Sequence, residues 1–276
     1  MIEEQKGAYE AEQLLEELGF DTLPISPWKV AESIDSDGFR LVLEKQNFSS
    51  QSILGKAEGN HKGALVYVNA NISDSRRLNF TVSHEIRHVC MHIMPQRKLS
   101  FECGKKEMFD FFNDPIEKEA NGFASGLLMP KRLIYQHYDG DVNWLNISTI
   151  SELCGTSLEA TYRRMSVLDS FPSALVVHQD SKFKRFVVTP NFGFRIEKTV
   201  LASYQLALAA VIKDEPYPSE YEIVNASDWI DPSFKGTTLE KIYSSTIILK
   251  GGFTYTLLRY DDDCIRVEDD ETQYFF

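Results

Sequence analysis

Apolar residues recur at helical spacing in some stretches of this chain and at strand spacing in others, and their order sets out an α+β protein. Residues 9–20 (YEAEQLLEELGF) place Ala11, Leu14, Leu15 and Leu18 on one face and close at Gly19, which predicts an amphipathic helix. A short helix follows Pro27 over residues 28–34. Strand-rich runs come next at 39–43 (FRLVL), 52–56 (SILGK) and 63–69 (GALVYVN). A helix then runs on to Pro95, with Ser73 or Asp74 as its N-cap and Val82, Ile86, Val89 and Ile93 as its buried stripe. Residues 114–130 (DPIEKEANGFASGLLMP) predict another helix. Asp114 caps it, Pro115 is its first residue, and Pro130 ends it by pushing Met129 out of the helical region. Its buried stripe is Ile116, Ala120, Phe123, Ala124, Leu127 and Leu128.

The stretch between the two long helices, 96–113 (QRKLSFECGKKEMFDFFN), reads as a loop whose aromatics pack on the core, with a lid over the site as a further role. Beyond Pro130, residues 132–168 are helical. Gly155 makes a turn there and Ser157 caps a second helix, in a pair that resembles a helix-turn-helix. That second helix carries Arg163 and Arg164 but also Glu159, and a DNA-reading helix presents more donors near its start, so structural packing is the preferred reading. From Pro172 the texture changes to strands at 174–178, 183–189, 217–225, 246–249 and 253–260, with a helix over 200–213. Residues 261–271 hold seven acidic residues and one Arg, which suits a solvated end.

The helix before Pro95 contains His84-Glu85-Ile86-Arg87-His88. Positions four apart share a helix face, so His84 and His88 can offer ring nitrogens to one metal ion. Glu85 lies about 100° from His84 and about 60° from His88, facing the same space without being forced to ligate. Two imidazoles for a Zn²⁺ and a carboxylate to take a proton from water make a metallopeptidase pattern. A third ligand is needed. Glu117 lies within the apolar stripe of its helix, whereas Glu119 points about 160° away. A carboxylate on a buried face is unfavourable unless paired or metal-bound, so Glu117 is the chosen ligand and Glu119 a solvated charge. Asn121, four residues on, can fix a ligand histidine by hydrogen bonding. His92 sits about 12 Å along a continuous helix from His84 and is therefore a packing or substrate-contacting residue, not a ligand. Mn²⁺ or Fe²⁺ fits the same donors as zinc.

Phe80–His88 (FTVSHEIRH) and Glu117–Pro130 (EKEANGFASGLLMP), with EAEQLL at 10–15 and LPI at 23–25, resemble the ImmA/IrrE family of metallopeptidases. The resemblance covers roughly residues 8–190. It implies a gluzincin-like fold with His84, His88 and Glu117 as ligands and Glu85 as catalytic acid/base, the assignments that helix geometry also favours. It further implies cleavage of helix-turn-helix repressors of the XRE type to release stress or mobile-element genes. The expected organisation is a zincin-like peptidase domain with a small mixed sheet over 1–130, a helical, helix-turn-helix-like segment over 131–170, and a smaller α/β domain, similar to GAF domains, over 171–276. The alternative is a non-catalytic, zinc-containing transcriptional regulator acting through its helical segment or a protein partner. Zincins hold substrate as an added strand on a sheet edge, and 63–69 is either that edge or an internal strand.

Charge and cysteine usage narrow the partners. A formal net charge of −12 opposes non-specific nucleic-acid binding and suits a basic protein partner such as a DNA-binding repressor. No apolar run is long enough to span a membrane, and the polar, acidic start is unlike a signal peptide. Cys90, Cys103, Cys154 and Cys264 form no C-x-x-C pair, which fits reduced thiols in the cytoplasm. Cys103 reads as a reduced loop or core cysteine, with a thiolate cap on the metal as the alternative.

Overall fold

Asp74 begins the helix on which the first part of the molecule is built: its carboxylate accepts hydrogen bonds from the backbone N–H groups of Arg76 and Arg77 in this computed structural model. The structure describes residues 3–34, 38–50, 52–96, 99–104, 114–168, 171–201, 217–218, 220–231, 233–234 and 237–267. These fall into two units, Met1–Tyr138 with Thr149–Arg164, and Asp139–Ser148 with Met165–Phe276. The chain is α+β.

The first unit opens with α1 (Glu3–Glu17) and α2 (Pro27–Ile34), then β1 (Arg40–Gln46), β2 (Ile53–Asn60) and β3 (Gly63–Asn69). α3 (Ser75–His88) follows, then β4 (Ser100–Gly104), α4 (Pro115–Leu128) and the short α5 (Lys131–Ile134). The strands make one small mixed sheet in the order β1-β3-β2-β4. β1 runs parallel to β3, while β3 with β2 and β2 with β4 are antiparallel. Gly63–Asn69 is therefore an internal strand, hydrogen-bonded on both sides, and not the edge that an added strand could use. The edge towards the active helix side of the chain order is β4, which lies within the stretch expected to be loop. Ser100 to Cys103 alternate between exposed and buried, Phe101 and Cys103 facing inward, and Gly104 is buried as well.

α3 also departs from the expected single helix up to Pro95. Regular α-helix stops at His88, and Val89–Ile93 form one π turn. Such wide turns are often retained at functional sites. The stripe Val82, Ile86, Val89 and Ile93 is fully buried as predicted. α4 is set by a close crossing with α1. A Cβ on Gly122 would fall 2.6 Å from the Glu4 carbonyl carbon, and one on Gly126 would fall 2.6 Å from the Ala8 Cα. Only residues without a side chain allow two helix backbones to approach so far, and this fixes α4 in depth and rotation.

α6 (Trp144–Cys154) and α7 (Leu158–Leu168) are joined through Gly155 at φ +63°, with the Ser157 hydroxyl accepting from Ala160 N–H. The helical stretch expected over 131–170 is divided between the units, Thr149–Arg164 going with the first. There Arg164 is buried, bonded to the Met129 carbonyl and paired with Glu12 of α1. Arg163 pairs with Glu159 one turn back.

The second unit is a five-stranded antiparallel sheet in the order β6-β5-β11-β10-β7. Its strands are β5 (Ser173–Gln179), β6 (Lys182–Val188), β7 (Glu222–Asn225), β10 (Lys241–Ile248) and β11 (Phe253–Arg259). A smaller three-stranded sheet contains β8 (Ser233–Phe234), β9 (Thr237–Leu239) and β12 (Ile265–Val267). Trp144 joins this unit, its indole N–H donating to the Ser245 carbonyl at 2.9 Å. Most of the helix predicted at 200–213, and the acidic end beyond 267, lie outside the described residues. Among those described, no helix is long and apolar enough to cross a membrane.

Candidate metal centre

His84 and His88 project from the last turn of α3, and both rings are fully buried. The two Nε2 atoms stand 3.2 Å apart. Glu117, from the first turn of α4, reaches them with one oxygen 3.0 Å from His84 Nε2 and the other 3.6 Å from His88 Nε2. Donors on a tetrahedron at ordinary zinc bond lengths stand about 3.3 Å from one another, so the three groups are spaced as a single ion would hold them. Without a metal one of the two nitrogens can donate a proton to the other, whereas a cation accepts both lone pairs at once. The residues present therefore fit a metal.

Asn121 places its Oδ1 3.0 Å from His84 Nδ1. With that oxygen accepting from Nδ1–H, the lone pair of His84 is on Nε2, facing the cluster. Burial lowers the pKa of His88 to about 4, which keeps its ring neutral, as a ligand must be. Burial opposes ionisation of Glu117, but its hydrogen bonds to His84 and His88 outweigh that and hold the carboxyl below the usual carboxylate range.

Glu85 is the other buried carboxylate. It is wholly inaccessible, and no N–H or O–H group donates to its oxygens. Burial pushes its pKa well above the ordinary glutamate value, the Cys103 thiol offsetting this only in part. The carboxylate lies against Gly55 in β2: a Cβ there would fall 2.8 Å from the Glu85 Cδ. Gly55 sits at a β-bulge and is paired in register with Cys103. The bulge and the bare glycine together open the space that Glu85 fills.

Three features were not read from the sequence, and a fourth, Cys103 at the metal, was read only as the alternative to a loop or core cysteine. Phe101 stacks on the His88 ring, centroids 4.1 Å apart and planes at 14°, and so fixes the second histidine as Asn121 fixes the first. Cys103 Sγ belongs to the donor cluster, lying with His84, His88 and Glu117 so that all four ligand atoms are within 4.8 Å of one another. Gly55 makes room for Glu85. Glu119 is not a free solvated charge: it pairs with Arg87 at 2.6 Å and with Lys6 at 2.7 Å. Alternation in Ser100–Gly104 was the available signal for Phe101 and Cys103. His92 is buried behind His88, their Nδ1 atoms 3.4 Å apart, and its ring also lies near Phe101.

Comparison with known proteins agrees with the family resemblance. Residues 39–166 match the family model described as the IrrE N-terminal-like domain, a peptidase family. A search of curated proteins finds no match. Among solved structures, a Mycobacterium tuberculosis transcriptional regulator superposes with a TM-score of 0.51 at 15% identity, covering 92% of this chain and 87% of that one. At that identity the likeness is one of fold.

Proposed function

Because residues 39–166 match the IrrE N-terminal-like family model, we propose that the chain is a zinc-dependent endopeptidase of the ImmA/IrrE type that cleaves an XRE-type helix-turn-helix repressor. The observation that carries this reading is Glu85: a wholly buried carboxylate, met by no stronger donor than the Cys103 thiol, beside three converging metal donors. A purely structural metal site has no use for such a group, whereas a hydrolase needs one. His84, His88 and Glu117 hold the ion, and Asn121 orients His84. When bound, zinc supplies a Lewis acid that polarises the scissile carbonyl and makes water acidic. Glu85 takes the proton of the attacking water on its free carboxylate and returns it to the leaving amine. His92, behind His88, is placed to tune that ring or to meet substrate.

This reading distinguishes a zincin-like domain, which shares its unit with Thr149–Arg164 of the helical segment, and a smaller C-terminal domain. A basic repressor suits the acidic chain. Direct DNA reading through α7 is not proposed, because Arg163 and Arg164 are held by Glu159 and Glu12. The second reading is a non-catalytic, metal-containing regulator. It draws on Cys103 as a fourth donor and on the regulator that shares the fold.

The test is incubation of the zinc-loaded protein with purified XRE-type repressors. Discrete repressor fragments are expected, lost on chelation and regained when zinc is restored. Intact repressor held in a stable complex would favour the second reading.

A further inference from the structure

Resting on the metal-centre reading above, we propose that Cys103 is a fourth protein ligand and that its thiolate closes the resting site. Three observations carry this. Its sulfur lies within 4.8 Å of the ligand atoms of His84, His88 and Glu117. Cys103 is fully buried and faces inward from β4, so the sulfur is committed to the site and not to solvent. Its partner in register is Gly55, against which the Glu85 carboxylate lies, so the thiol stands next to the group that must receive a proton from water.

The chemistry of the donor set then decides between two states. Three protein donors leave a position for water and make a catalytic site; four make a closed, structural one. Thiolate is among the strongest donors zinc accepts from protein. On metal binding the S–H bond breaks, a sulfur–metal bond forms and the proton is released to bulk buffer. To open the site that sulfur–metal bond must break, leaving the thiolate to regain a proton from buffer. β4 suits such a movement because, among the described strands, it is an edge strand of its sheet. The chain therefore carries its own latch: the same Glu85 machinery is blocked with Cys103 bound and exposed with Cys103 released.

The experiment is the absorption spectrum of the full chain loaded with Co²⁺ in place of zinc, for wild type, Cys103→Ser and Cys103→Ala. Wild type is expected to show visible d–d bands of bound cobalt together with a near-ultraviolet thiolate-to-cobalt charge-transfer band. Both variants are expected to keep the d–d bands and lose the charge-transfer band. Their zinc affinity should fall at least as far as loss of a ligand-supporting group lowers it, roughly 10–100-fold. Cys90, Cys154 and Cys264 lie outside the donor cluster of the described residues, so loss of the band assigns it to Cys103. Wild-type d–d bands without a charge-transfer band would overturn the latch and leave the three-ligand site standing. A charge-transfer band surviving in both variants would overturn it as well. No cobalt bands at all would remove the latch and the metal centre together.

Discussion

Glu85→Gln is expected to lower peptide cleavage by about 10²–10⁴-fold while the protein keeps its metal, because general acid–base transfer is worth about that much. Gln has the shape of Glu but cannot accept and return the proton. The same substitution has a second, opposite effect on the metal-free protein. Glu85 has a folded pKa above its unfolded one, for which burial is the leading cause. The native state therefore holds a proton that the unfolded chain has lost, and stability falls as pH rises from the ordinary glutamate range towards the folded value. Gln does not titrate. Metal-free Glu85→Gln should thus melt higher than metal-free wild type at neutral pH, by a margin that shrinks as pH is lowered. An unpartnered buried polar group of this kind disfavours the fold by about 1–3 kcal/mol or more. Cleavage retained in the variant would remove Glu85 from the reaction. Equal melting at all pH values would mean that water reaches its carboxyl.

Arg87→Ala is expected to reduce the stability of the first unit by about 3–5 kcal/mol, measured by urea unfolding. Arg87 is a charged residue on α3 with its side chain only 1% exposed. Its Nη2 stands 2.6 Å from a carboxylate oxygen of Glu10 in α1 and 2.6 Å from one of Glu119 in α4. The three helices that build the site thus meet at one guanidinium. Removing it leaves two half-buried carboxylates facing each other without a cation, and opens a cavity beside Phe123. Metal affinity should fall with it, since α4 carries Glu117. A loss below about 1 kcal/mol would place the pair in the class of exposed ion pairs and contradict its role as a clamp.

Residues that act through near neighbours were open to reading from the sequence. The two histidines four apart, Glu85 between them, the Asp114-Pro115 start of α4 and the Glu117–Asn121 pair all lie on helices, where spacing alone fixes which side chains share a face. The strand at 63–69 was legible for the same reason, but its neighbours were not. Sheet order depends on which distant strand supplies hydrogen bonds, and no residue of GALVYVN says that β1 lies parallel beside it. The place of Phe101 was hidden, and Cys103 was legible only as an alternative cap on the metal, because β4 is five residues long, within a stretch rich in Lys and Arg. Glu119 looked solvent-facing by helical angle, and only the approach of α1 and α3 supplies its Lys6 and Arg87 partners. The π turn after His88 carries no sequence signature among Val89–Ile93. Trp144 packs with the C-terminal unit through a bond to Ser245, a link 101 residues apart that local pattern cannot show.

The most direct test of the metal centre is elemental analysis of purified wild type beside Glu117→Ala. About one zinc per chain in wild type, lost or much reduced in the variant, is the predicted result. Equal zinc in both proteins, or none in either, would contradict Glu117 as a ligand and with it the site on which the peptidase reading stands.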